Sequence, residues 1–148
     1  MNYFISSTFR SCLEDLLKKP KEGYSSVQSD VCKALLDLPD NILRASNERI
    51  IQMPTFRVVK LRVPNSGLRL SKADGFRLIY LVSMVSDDVA LLRVYPKRGA
   101  KSMVNISDAE CIRLVNEVLK ESKDLRLHQV DVANSMAVLT TEGSLFEK

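Results

Sequence analysis

Apolar and polar positions along this chain follow two different periods, and the switches between them mark its elements. Tyr3-Phe4-Ile5 reads as a short strand. Ser7 and Thr8 then offer hydroxyls to cap a helix. Its apolar residues Phe9, Leu13, Leu16 and Leu17 recur at helical spacing, and Pro20 stops it. After Gly23 a second helical stripe runs through Val27, Val31, Ala34, Leu35 and Leu38 and ends at Pro39. The two helices are expected to pair antiparallel on one face of a sheet. Residues 40–55 carry little pattern: Asn41 to Ser46 fits a helical turn, and Arg44 and Arg49 read as solvated charges.

From Phe56 the period becomes two. Val59, Leu61 and Val63 fall on one face of a strand over Phe56–Val63, with Lys60 and Arg62 on the other. Pro64-Asn65-Ser66-Gly67 is turn chemistry. A polar approach, Ser71 to Gly75, then leads into Phe76–Ser83, apolar on both faces as a central strand should be. Asp87-Asp88 marks a hairpin turn into Val89–Tyr95. Beyond a polar linker, Gly99 to Ser102, Ser107 and Glu110 form a capping box. It opens a helix through Cys111, Leu114, Val115, Val118 and Leu119 that runs to about Ser122. The tail from Leu125 holds one strand-like run, Met136 to Thr140, and its last positions read as mobile. The pattern predicts an α+β chain, with residues 1–122 as one domain and 123–148 as a partly ordered C-terminal extension.

Charge sharpens this picture. The net charge of +4 over 148 residues is modest, but ten Lys/Arg stand against three acids (Asp74, Asp87, Asp88) between Arg57 and Lys101. Concentrated positive charge is the footprint of a nucleic-acid or acidic partner; cations that merely solvate an exposed sheet face are the other reading. Cys12, Cys32 and Cys111 are odd in number and widely spaced, which predicts reduced thiols in a cytoplasmic protein. No apolar stretch approaches the roughly 18 residues of a membrane span. Met1 to Ile5 lacks the basic-then-apolar pattern of an export signal. The one histidine, His128, has no carboxylate or cysteine at ligand spacing and reads as surface or structural. Neither a metal nor a cofactor is expected, so chemistry falls to Lys, Arg and Tyr.

RNA cleavage can be done with those groups. The 2′-hydroxyl attacks its own phosphate, so the protein supplies a base, cations for the developing charge, and an acid for the leaving 5′-oxygen. A lysine crowded by other cations has a lowered pKa and can act as that base.

One ordered set of residues carries a family resemblance: Lys60-Leu61-Arg62, Asn65-Ser66, Lys72-x-x-Gly75-Phe76-Arg77-Leu78-Ile79-Tyr80, and an apolar run ending Tyr95-Pro96-Lys97-Arg98. It resembles the central sheet of the RelE/ParE superfamily, the toxins of bacterial type II toxin–antitoxin pairs. The resemblance implies a small β-α-α-β-β-β fold, two N-terminal helices packed on an antiparallel sheet, plus a C-terminal helix. It implies a ribosome-dependent mRNA interferase with Lys60 as base or phosphate ligand, Arg77 as phosphate clamp and Arg98 as leaving-group stabiliser. Arg62, Lys72, Tyr80, Tyr95 and Lys97 would bind RNA. Partners would be mRNA, the ribosome and a cognate antitoxin, in a homodimer or a hetero-oligomer with that antitoxin, and no membrane. Val58 and Val104 stand where some family nucleases carry a second lysine and a tyrosine. A ParE-like gyrase inhibitor without enzymatic activity and an RNA-binding domain without cleavage are the alternative readings.

Overall fold

The strand Phe76–Ser83 is buried at all 8 of its positions, and the rest of the fold follows from covering it. The computed structural model describes residues 1–39, 43–44, 49–99, 102 and 106–146. In chain order these give β1 (Asn2–Ile5), α1 (Ser7–Leu17), α2 (Val27–Asp37), β2 (Arg49–Gln52), β3 (Phe56–Val63) and β4 (Phe76–Ser83). There follow β5 (Asp88–Pro96), α3 (Asp108–Lys123), β6 (Leu127–Asp131) and β7 (Ala137–Gly143). The strands form one 7-stranded sheet in the order β2-β3-β4-β5-β1-β6-β7. Neighbours are antiparallel except β1 and β5, which run parallel.

The expected β-α-α-β-β-β fold on an antiparallel sheet is therefore corrected. The chain is α+β, but its sheet is mixed and wider, and it is covered on both faces. On one face α1 and α2 bury Phe9, Val31 and Leu35 against Val59, Leu78, Tyr80 and Leu91. On the other, Leu114 and Val118 of α3 pack over Phe4, Ile79, Leu81 and Leu92. The physical reason lies in β4 and β5. With helices on one side only, Ile79, Leu81 and Leu92 would face water, at about 1.5–3 kcal/mol each. The helix Asp108–Lys123 is the second layer that this apolar face requires.

The segment after Lys123 also completes the sheet. β6 pairs with β1, placing Val130 opposite Tyr3 and His128 opposite Ile5, and β7 pairs with β6. The strand-like run in the tail is the start of β7. β6 (Leu-His-Gln-Val-Asp) went unseen because only Leu127 and Val130 of it are buried.

Local corrections are smaller. The α1 N-cap is Ser6, not Ser7 or Thr8: its hydroxyl accepts from the Phe9 amide at 3.1 Å. At α3, Ser107 accepts from the Glu110 amide, but the Glu110 carboxylate goes to Arg93 and Arg113 instead of closing the expected box. Arg44 is no solvated charge, because it donates to the Ser83 and Ser86 carbonyls and to Asp87. The expected turn over Asn41–Ser46 lies outside the described residues except at Leu43 and Arg44, which are helical. The Arg49 side chain, Val104, much of the 99–102 linker and the last two positions also lie outside them.

Candidate nucleic-acid interface

At the end of the sheet where β3 and β5 finish and β4 begins, the register sets Arg62 directly opposite Arg77, and Arg77 opposite Tyr95. Residues opposite one another share a face, so two arginines are forced side by side. The fold resolves this by turning Arg77 inward. It is only 6 % exposed, and its guanidinium donates to the carbonyls of Lys72 (2.9 Å), Ala73 (2.8 Å) and Phe76 (3.3 Å). Carbonyl dipoles take the place of water around the charge. Arg77 thus pins the β3–β4 loop, and its donors point away from solvent.

That loop is built, not loose. Asn65, 2 % exposed, donates to the Gly23 carbonyl and accepts from Ser26 Oγ and the Leu68 amide. Its backbone pairs with Leu70 in both directions. Asp30 of α2 accepts from Ser26 Oγ at 2.7 Å and from the Ser66 amide at 2.9 Å, which ties loop to helix. Gly75 is required by close approach: a Cβ there would run into the Val63 carbonyl oxygen and the Asn65 amide.

On this scaffold the cations gather. The side chains of Arg62, Arg69, Lys72 and Arg98 are exposed and that of Lys97 is half-exposed. The Lys97 amide donates to the Gly75 carbonyl at 2.8 Å. Arg98 makes an exposed ion pair with Asp74, through Nη2 at 2.8 Å and Nε at 3.1 Å. Its own carbonyl accepts from the Tyr24 hydroxyl, which fixes the backbone where β5 ends. Asp74 is the one carboxylate in the sequence between Arg57 and Ser86.

Six of the residues singled out in the sequence therefore meet at one end of the sheet: Arg62, Lys72, Arg77, Tyr95, Lys97 and Arg98. Two do not. Lys60 lies opposite Ile79 on the α3 face, half-buried and near enough to Cys111 to act on its thiol. Burial and the carboxylates of Asp108 and Glu110 push that thiol up, and the Lys60 charge works against them. Tyr80 is on the opposite face, buried, with its hydroxyl donating to the Leu43 carbonyl at 2.9 Å. Burial, helped by Tyr3, pushes its phenol well up. It is a core residue. Tyr95 too is buried, within the α3-side cluster, so its ring is not offered for stacking.

Burial pushes the Cys12, Cys32 and Cys111 thiols up, away from reactive thiolate. Among the described residues no three His, Cys, Asp or Glu side chains come together as a metal site, and no helix is long and apolar enough to cross a membrane.

Sequence reasoning missed Lys33, which faces this end of the sheet from α2. Its spacing, four residues after Ser29 and four before Asp37, is the signal that puts it on a polar stripe beside the apolar one. No family model matches the chain, and no curated protein or solved structure is significantly similar to it.

Proposed function

We propose that the protein binds single-stranded RNA through its phosphates at the cationic end of the sheet, without cutting it. The observation that carries this reading is the gathering of Arg62, Lys72, Lys97 and Arg98 at one end of the sheet, with Arg69 exposed on the loop between β3 and β4. Phosphate contacts supply affinity by releasing condensed counterions and need no particular base. The exposed Arg98–Asp74 pair is worth no more than about 1 kcal/mol, so an incoming phosphate can take the guanidinium over. The choice of RNA over other polyanions comes from the sequence resemblance. The restriction to binding comes from Arg77, whose guanidinium is held by three carbonyls, and from Lys60, half-buried on the α3 face.

The test is fluorescence anisotropy of a labelled 20-nucleotide RNA at rising KCl, with the probe then run on a denaturing gel. Affinity is expected to fall steeply with salt, and Lys72→Ala/Lys97→Ala to reduce the slope by about 0.7 for each lost phosphate contact. No binding at low salt would overturn the reading. A shortened probe, in the presence or absence of ribosomes, would replace it with the mRNA interferase.

A further inference from the structure

Beside the cationic rim, α2 and β3 enclose a cleft of about 550 Å³. Its apolar floor is Ala34, Leu38, Leu61 and Pro64, and three cations, Lys33, Arg62 and Lys72, stand around it. Lys33 and Asp37 are one turn apart on α2, so a carboxylate acceptor lines the cleft beside the charges. The walls are held in place: Asp30 joins α2 to the β3–β4 loop through Ser66, and Arg77 holds that loop from behind. Among the described residues β2 pairs with the first half of β3, from Arg57 to Val59.

This volume is within the roughly 300–1,000 Å³ of small-molecule sites, which are apolar with a few placed polar groups. A bare phosphate would leave the floor wet, and an uncharged molecule would make no use of the positive charge that lines the cleft. The ligand that uses both is a phosphate ester with an organic body. Asp37 adds an acceptor for an amino or ring N–H donor.

We infer that this cleft seats a nucleotide, with its phosphate on Arg62, Lys72 and Lys33 and its base over Ala34, Leu38, Leu61 and Pro64. The nucleotide is either a free nucleoside 5′-monophosphate or one unit of an RNA strand. For the second source the inference rests on the RNA-binding reading above; for the first it does not.

The test titrates ¹⁵N-labelled protein with AMP, CMP, GMP and UMP, with inorganic phosphate and adenosine as controls, followed by amide shifts. At least one monophosphate is expected to move Lys33, Leu61 and Lys72 and to bind at least tenfold tighter than either control. Lys33→Ala, at an exposed helix position, is expected to weaken it at least fivefold. Ala34→Phe, which fills the cleft, should abolish it while the circular-dichroism spectrum stays native. If Lys33→Ala weakens the 20-nucleotide RNA as well, the strand is a source; if RNA affinity is unchanged, the free nucleotide is. A nucleotide that binds in a protein that ignores RNA supports the cleft and removes the RNA reading. RNA binding with no monophosphate response in the cleft overturns the inference and leaves that reading intact. Inorganic phosphate binding as tightly as every nucleotide also overturns it.

Discussion

Glu117 of α3 accepts both the backbone amide and the hydroxyl of Thr8, at 3.0 and 2.6 Å. It also accepts from Ser7 Oγ, while Glu121, one turn on, accepts from the Ser7 amide at 2.9 Å. The first amides of a helix have no partner within it, and its N-terminus favours negative charge. Two carboxylates of α3 thus complete the start of α1, though the helices lie on opposite faces of the sheet. The clasp closes around the end of β1.

Loss of this clasp should be visible in stability and in its pH dependence. Burial pushes the Glu117 carboxyl up, but the bonds from Thr8 and Ser7, with Arg113 nearby, outweigh it and hold the group below its ordinary value of 4.5. As pH falls, the unfolded chain therefore takes up this proton first. The stabilisation is full above that ordinary value and is lost as pH falls through the lower folded one. Glu117→Ala should cost about 2 kcal/mol at pH 7. Urea denaturation at pH 7, 5, 4 and 3 should show the gap to wild type narrowing at the acid end. A gap that stays constant would mean the carboxylate is not what Thr8 binds.

Arg77 should behave as a structural residue. Arg77→Ala removes the hydrogen bonds to the Lys72, Ala73 and Phe76 carbonyls and is expected to cost about 2–4 kcal/mol. Arg77→Lys should recover little of it, because an ammonium cannot reproduce the guanidinium fork. Thermal melting of both variants, with limited proteolysis between Pro64 and Gly75, reads this directly. Unchanged melting with lost RNA affinity would instead make Arg77 a phosphate contact.

Asn65 and Gly75 should be intolerant for different reasons. Asn65→Ala leaves the Gly23 carbonyl and the Leu68 amide without their partner, at about 1–3 kcal/mol. Gly75→Ala forces the backbones of β3 and β4 apart at Val63. Amide exchange over residues 64–75 should accelerate in both variants and, in Gly75→Ala, spread into β3.

His128 should titrate below its ordinary value. Burial lowers its pKa first, the Arg10 charge adds to this, and Glu121 opposes both. The folded state thus prefers the neutral ring, so His128 contributes stability above about 6.5 that is lost as pH falls toward the folded value. Following its ring carbon protons by NMR from pH 8 to 4 would settle the direction; a midpoint above 6.5 would refute it.

Much of this was legible in the sequence because burial imposes a period. Phe9, Leu13 and Leu16 announced α1, and the two-sided apolar run of β4 announced a central strand. That run also required cover on both faces, and the expectation of helices on one side alone overlooked it. β2 and β6 were not legible, since short strands with few buried positions carry no period. The gathering of Arg62, Lys72, Lys97 and Arg98 followed from strand order, which a local pattern does capture. The inward turn of Arg77 did not, because an arginine within a strand reads the same whether its guanidinium meets water or three carbonyls. The spacing of Lys33 marks it only as a residue of a polar stripe, because its neighbours across the cleft, Arg62 and Lys72, are distant in sequence.

The position of β1 has a consequence for how the chain is made. Tyr3 lies opposite both Val89 and Val130, so β1 is synthesised well before either of its neighbours. Pairings this distant along a chain form slowly. Until Leu127–Asp131 has left the ribosome, one edge of Asn2–Ile5 stands bare, with unpaired amides and carbonyls that invite any other strand. Synthesis must run past β6 before β1 is shielded on both sides.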